Sequence, residues 1–218
     1  MGEFKALLRG AGLSEAQIDA ASAFREAVLS ENVRQNLTRL LSPGDFFRGH
    51  VLDVLELRQF RSQIGDRGNT ALDLGTGAGV PGLLSAALYS DERWILVDSE
   101  VRKAEYLART VEELGLSDRV RVIHGRIEQI SSQIPQVTLV SRAVGTAEKL
   151  MAWTEMCSTW NTMILLKGPK WNTEWADFQQ SRWKKQLQEG KRHEYSVGDS
   201  VTRVIIQLKR VPRGTLKN

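Results

Sequence analysis

Residues Ala71 to Gly82 read A-L-D-L-G-T-G-A-G-V-P-G, and this stretch decides the fold. A short apolar run, Ala71, Leu72 and Leu74, is interrupted by Asp73 and reads as a strand. Gly75, Gly77 and Gly79 follow at alternate positions, Pro81 and Gly82 close the turn, and Leu83 to Tyr89 reads as a helix. Glycine accepts positive φ and lets another group come close. A strand, a glycine turn and a helix in succession bring backbone N–H groups and a helix N-terminus to one point, which favours a polar or anionic group there. Pro81 suits the first turn of that helix, where its missing N–H costs nothing. A ligand is therefore expected above Gly75 to Gly79, at the carboxyl end of the strand.

The dinucleotide fingerprint G-x-G-x-x-G would place its third glycine at position 80, which is Val80. The spacing here is G-x-G-x-G, with Asp73 two residues before Gly75, and it resembles the turn of S-adenosylmethionine (SAM) methyltransferases. SAM carries an amino acid at one end and a ribose at the other. Asp73 suits the amino group. Asp98 ends the run Trp94-Ile95-Leu96-Val97, roughly 20 residues on, where the ribose-binding acid of such folds belongs. A glycine-rich turn of another nucleotide-binding α/β domain is the alternative on local pattern.

The 218 residues suffice for one α/β domain with an appendage. A hydrophobic fraction of 41% supports a buried core. No apolar run approaches the ~20 residues of a membrane span, and Met1 to Gly12 lacks the apolar centre of a signal peptide, so the expectation is a cytoplasmic protein. The lone Cys157 excludes an internal disulfide and a cysteine-based zinc site. His50, His124 and His193 fall on separate elements, and no metal is expected. The net charge of +4 permits a nucleic-acid partner. The basic residues cluster late, at Arg182, Lys184, Lys185, Lys191 and Arg192, then at Lys209, Arg210, Arg213 and Lys217. They read either as a solvated face and a frayed end or as phosphate contacts.

Residues 1–69 read as an N-terminal helical segment packed on a core formed by residues 70–218. Ser14 with Gln17 fits a capping box, followed by Ile18, Ala21, Phe24, Val28 and Leu29 at helical spacing. Ser42-Pro43-Gly44-Asp45 starts another helix, which Gly49 interrupts. From residue 70 the pattern alternates. Strands are expected at Thr70 to Leu74, Arg93 to Asp98, Arg119 to His124, Val137 to Ser141 and Thr162 to Leu166. Helices are expected at Pro81 to Tyr89, Glu100 to Leu114 and Thr146 to Cys157, with a last one over Asn172 to Gln188. Glu194 to Val197 and Val201 to Leu208 form a closing hairpin. This is an α/β fold of the class I, Rossmann-like kind: a mainly parallel sheet, an antiparallel edge and an N-terminal helical extension.

Several short motifs agree. Asn36-Leu37-Thr38, Arg48-Gly49-His50-Val51-Leu52-Asp53, the loop Leu72 to Gly82, and Val97-Asp98-Ser99 with Lys103 and Leu107 come first. Arg126-Ile127-Glu128, Ser141-Arg142-Ala143 and Leu165-Leu166-Lys167-Gly168 follow. In this order they resemble the RsmG (GidB) family, bacterial enzymes that methylate N7 of a guanine in small-subunit ribosomal RNA. The resemblance runs from about Asn32 to Gly168. Two departures stand out. Gly49 is an extra residue inside the family's R-H-x-L-D stretch, and Val201 stands where the family has an arginine, with Arg203 two residues later.

The resemblance implies SAM as cofactor and the small-subunit RNA, or the 30S particle, as partner of a monomeric enzyme. N7 of guanine carries a lone pair and no proton, so attack on the SAM methyl needs no general base, and positioning supplies the rate. Arg126 and Arg142 are expected to position the base or its phosphate, because arginine grips O6 or phosphate in a forked geometry. Asp73, Gly75, Thr76, Gly77, Gly79, Val80, Asp98, Ser99, Ile127, Glu128 and Arg142 are expected around the cofactor. Asn36, His50, Lys103 and Lys167 are expected on the substrate side. The plain alternatives are an ion pair of the arginines with Glu128 or Asp73, a packed helix histidine for His50, and a solvated helix face for Lys103. Trp171, Trp175 and Phe178, at i, i+4 and i+7, read as helix packing, with base stacking as the alternative. Competing functions are a SAM methyltransferase acting on another RNA or a small molecule, an NAD-dependent oxidoreductase, and a catalytically silent RNA-binding assembly module.

Overall fold

The computed structural model describes residues 2–130, 134–198 and 201–211. Seven strands form one sheet in the order β3-β2-β1-β4-β5-β7-β6. In chain order they are β1 Ala71–Leu74, β2 Trp94–Asp98, β3 Val120–His124, β4 Val137–Arg142, β5 Trp160–Lys167, β6 Leu187–Val197 and β7 Val201–Arg210. The first five are parallel, and β7 runs antiparallel to β5 and to β6. The order reverses between β1 and β4, so their carboxyl ends splay apart and open a crevice there.

Helices α1 Gly2–Gly10, α2 Glu15–Gln35, α3 Pro43–Phe46, α4 Leu52–Gln63, α5 Gly82–Leu88 and α6 Val101–Glu113 contribute to the core on one face of the sheet. Helices α7 Ile127–Ile130, α8 Ala147–Trp153 and α9 Trp171–Phe178 contribute to the core on the other. The split follows strand pleating: Ala71, Trp94 and Leu96 join the first core, while Leu72, Leu74, Ile95 and Val97 join the second. Phe4, Phe24, Val28 and Phe60 of the N-terminal helices lie in the same cluster as Ala71 and Leu83. The helical segment therefore shares the core of the sheet.

A buried ion network fastens that segment. Arg61 is fully buried, its Nε donates to Asp66 Oδ2 at 2.7 Å, and its Nη1 pairs with Glu92. Its Nη2 donates to Asn69 O at 2.8 Å, and its guanidinium lies 5.3 Å from the Trp94 ring centroid. Thr138 of β4 donates its hydroxyl hydrogen to Asp66 at 2.5 Å. Each charged group here has a partner, which is the condition for burying charge at all.

Local signals hold where capping dictates them. Ser14 and Gln17 form both bonds of the capping box, and Ser42 accepts from Asp45 N with Pro43 in the first turn of α3. Asn36 ends α2 in the left-handed region, φ 45°, as a C-cap. The helix expected over Asn172 to Gln188 ends at Phe178. Trp183 and Leu187 are four apart and both buried, which mimics a helix face. Leu187 and Gln188 instead pair with Arg210 and Lys209, because the edge of β7 offers unpaired backbone groups. The same pairing lengthens β6 well beyond the expected Glu194 start. Of the late basic residues, Arg213 and Lys217 lie outside the described residues.

Gly49 does not break its helix. Residues Phe47–Val51 form a π turn between α3 and α4, and Leu52 N donates to Phe47 O. A π turn absorbs one extra residue without shifting the helix beyond it. A Cβ at Gly49 would strike Leu40 Cδ1.

Candidate active site

The glycine turn is built around two carboxylates. Asp73 is buried, and its Oδ2 accepts from Gly82 N at 2.9 Å. Asp98 Oδ2 accepts from Gly77 N at 2.9 Å, and its Oδ1 accepts from Glu100 N at 2.9 Å. Thr76 donates its hydroxyl hydrogen to Asp73 O at 2.9 Å. Both acids, expected to meet the cofactor directly, hold the turn in shape with these bonds. Burial pushes the Asp73 carboxyl up to about 7, against the opposing pull of the Gly82 N–H.

The glycines divide by what faces them. Gly75 has φ +73° and Gly77 φ +58°, and a Cβ at Gly77 would meet nothing nearer than 3.9 Å, so the turn is open there. A Cβ at Gly75 would strike Val144 Cγ2 at 2.6 Å. Gly79 faces inward, where a Cβ would lie 3.0 Å from Phe24 Cε2, and Val80 is a buried core residue. These two, expected at the cofactor, seat the turn on α2 and the core.

Beside the turn lies a cavity of about 100 Å³, lined by Gly75, Ser99, Arg126, Ile127, Glu128 and Val144 among others. Its walls are apolar at Leu74, Val97 and Ile127, with the hydroxyl of Ser99 and the carboxylate of Glu128 on its lining. That donor and acceptor set fits an adenosine: apolar surface for a base, polar groups for ribose hydroxyls. Arg126 is exposed on this lining, and no hydrogen-bond partner of its side chain occurs among the described residues. Lys103 is on α6, where it pairs with Glu100 at 2.7 Å. Lys103 is half-buried there.

A second cavity, about 290 Å³, lies past the β4 loop and is lined by Gly49, Asp53, Arg142, Lys167, Gly168 and Arg203 among others. Its organising group is the buried Asp53. Arg142 Nη1 donates to Asp53 Oδ2 at 2.7 Å and to Gly49 O at 2.6 Å. Arg203 Nη1 and the Tyr195 hydroxyl both donate to Asp53 Oδ1, the latter at 2.7 Å. Two guanidinia on one carboxylate leave a positive charge facing the cavity. Arg142 thus pairs with Asp53, not with Glu128 or Asp73.

His50, expected on the substrate side, is buried behind Arg142. Arg142 Nη2 lies 3.0 Å from His50 Nδ1, and guanidinium can only donate, so Nδ1 accepts. Nε2 therefore carries the proton and donates to Thr38 Oγ1 at 3.0 Å. Burial first, then the charges of Arg142 and Arg203, drop the imidazole to about 3, so it is neutral. Lys167 lines the cavity, but its Nζ is held by Glu174 Oε1 at 2.8 Å and Gly145 O at 2.6 Å. Asn36 is exposed at the end of α2. Trp171, Trp175 and Phe178 stack at 5.5 Å and 5.0 Å, in agreement with helix packing.

Sequence reading missed Asp53 and Tyr195. The signal for Asp53 was a carboxylate set among Val51, Leu52, Val54 and Leu55, on an apolar helix face where a charge needs partners. Among the described residues, no group of three or more His, Cys, Asp or Glu could hold a metal ion, and no helix is long and apolar enough to cross a membrane.

The family described as "rRNA small subunit methyltransferase G" matches residues 17–201. The chain belongs to this family. The span includes the whole lining of the first cavity and that of the second except Arg203. Proteins named Ribosomal RNA small subunit methyltransferase G are among the chain's relatives. One from Novosphingobium aromaticivorans is 38% identical over 154 residues, covering 68% of this chain and 66% of its own. One from Pseudomonas syringae pv. tomato is 32% identical over 160 residues, covering 73% of each. Solved structures share the fold at low identity. The METTL16 methyltransferase domain superposes with a TM-score of 0.59 at 13% identity, covering 85% of this chain and 79% of its own. The human methyltransferase 10 domain containing protein gives 0.55 at 15% identity, covering 71% and 81%.

Proposed function

We propose that this member of the methyltransferase G family transfers a methyl group from SAM to N7 of a guanine in small-subunit ribosomal RNA. The family gives the reaction class, the cofactor and the RNA. N7 as the acceptor atom is what the resemblance to the family implies, and the observation that supports it here is the second cavity. Two guanidinia stand there on one buried carboxylate, and among the described side chains around it none is a free general base. That arrangement suits a nucleophile that has no proton to lose.

SAM supplies an electrophilic methyl carried on a positively charged sulfur. The residues of the chain do the rest by placement. Gly77 leaves the turn open to a ligand, while Asp73 and Asp98 fix its backbone. Ser99 and Glu128 offer partners to ribose hydroxyls. Asp53 fixes Arg142 and Arg203 so that their remaining N–H groups face the cavity, where guanine O6 or a phosphate would accept. Arg126 faces the first cavity and is a further candidate for phosphate. The neutral His50 and the Gly49 carbonyl hold Arg142 from behind. In A-form RNA the major groove is too deep and narrow for this approach, so the guanine enters from a loop or flipped out.

The test is acceptor choice. Purified protein and labelled SAM are offered small subunits, large subunits and transfer RNA from a strain lacking the gene. Label confined to small-subunit RNA supports the reading; label in another acceptor refutes it. Assembled subunits against protein-free RNA in the same assay decides whether the particle is the substrate.

A further inference from the structure

A third cavity, about 200 Å³, adjoins the guanine cavity and shares Gly168 and Arg203 with it. Trp171, Asn172, Arg192, Glu194 and Thr202 line its far side, with Glu194 Oε1 3.9 Å from Arg192 Nη1. Arg203 thus stands on the partition between two cavities. Its Nη1 is used on Asp53 and Gly49 O, while its Nε and Nη2 have no hydrogen-bond partner among the described residues. Arg192 adds a second guanidinium, steadied by Asn172 Oδ1 at 3.0 Å and by Glu189 Oε1 at 2.8 Å. On the same wall Trp171 is 2% exposed, and its buried Nε1–H has no acceptor among the described residues. A buried donor left unpaired costs stability unless a ligand or water takes it.

We propose that this third cavity binds the nucleoside adjoining the target guanosine in the RNA chain, with the phosphodiester between them on Arg203. The proposal rests on the reading of the second cavity as the guanine site. A dinucleotide has the required form: two nucleosides separated by one anion. Here two cavities are separated by one guanidinium whose free edge is its Nε and Nη2. Arginine grips phosphate through such a fork. Arg192 provides donors for the acceptor atoms of the second nucleoside. The cavity is chemically a nucleotide subsite, and it lies between the start of α9 and the β6–β7 hairpin.

The experiment compares ligands of increasing length by calorimetry on the full chain. The probes are guanosine 5′-monophosphate, guanosine 3′-monophosphate and the dinucleoside monophosphates GpU and UpG. One of the two dinucleotides is expected to bind at least tenfold more tightly than either mononucleotide. Thr202→Trp fills the cavity from an exposed strand position that favours aromatic residues, and Asn172→Tyr fills it from α9. Both are expected to erase the dinucleotide advantage and leave mononucleotide affinity within twofold. Dinucleotides that bind no better than mononucleotides to the natural chain overturn the proposal. So does an advantage that survives in both filled variants. Methylation of small-subunit RNA by the natural chain without a dinucleotide advantage removes the subsite alone. A dinucleotide advantage without that methylation keeps the subsite and sinks the RNA assignment.

Discussion

Arg203 holds one oxygen of the Asp53 carboxylate while Arg142 holds the other. Arg142 ends β4, Arg203 lies near the start of β7, and Asp53 is on α4, so the site joins the sheet, the hairpin and the N-terminal helices. Val201 breaks the family's arginine pattern in the sequence, yet the hairpin brings Arg203, opposite Tyr195, onto the carboxylate that Arg142 holds.

Asp53→Asn removes the counter-charge of both arginines. Breaking a buried ion pair from one side costs about 3 to 5 kcal/mol. Urea unfolding is expected to show a loss of that order, and calorimetry an unchanged SAM affinity, because the glycine turn does not depend on Asp53. A variant as stable as the natural chain would contradict the assignment.

Arg203→Lys is expected to lower kcat/KM for small subunits by about tenfold or more, since an ammonium cannot hold Asp53 and a phosphate in one fork. Steady-state kinetics at fixed SAM measures this. Arg203→Lys kinetics matching the natural chain would show that charge alone suffices.

Gly75→Ala forces a side chain into φ +73° and a Cβ to 2.6 Å from Val144. It is expected to weaken SAM binding at least tenfold by calorimetry. Gly79→Ala, whose Cβ would press on Phe24 instead, is expected to lower the melting temperature through the core.

Gly49→Ala drives its Cβ against Leu40 and disturbs the π turn whose carbonyl anchors Arg142 and Arg203. Transfer is expected to fall about tenfold. Leu40→Ala in the same chain removes the clash and is expected to restore most of it. Failure of the second substitution to restore transfer would place the defect elsewhere.

His50 gives an acid dependence of known sign. Its folded value of about 3 lies below the ordinary 6.5, so between these the unfolded chain takes up a proton that the folded chain refuses. Its contribution to stability is present above pH 6.5 and is lost as pH falls toward 3, by up to about 1.4 kcal/mol per pH unit. Asp73 acts oppositely: its folded value of about 7 exceeds the ordinary carboxyl value, so its contribution is lost as pH rises toward 7. His50→Gln accepts from Arg142 and donates to Thr38 as the neutral ring does. Unfolding at pH 6.5 and pH 4.5 is expected to show a smaller acid loss in His50→Gln. An equal loss would mean that His50 titrates normally.

The glycine turn and the mainly parallel sheet with an antiparallel edge were legible in the sequence, because local chemistry and the alternation of strands with helices dictate them. Gly75, Gly77 and Gly79 all adopt positive φ, and Ser14 and Ser42 cap where they stand. The partners of the charged residues were not legible. Asp98 and Asp73 turn toward backbone amides, and His50 turns behind Arg142, through contacts that link distant elements. The helix expected past Phe178 failed for the same reason, since the edge of β7 outcompeted local spacing.

The most direct measurement is the identity of the methylated nucleoside. Small subunits from a strain lacking the gene are incubated with the protein and labelled SAM, and the RNA is digested to nucleosides and resolved by mass spectrometry. The account predicts label in 7-methylguanosine. Label in a nucleoside methylated at any other atom would contradict it.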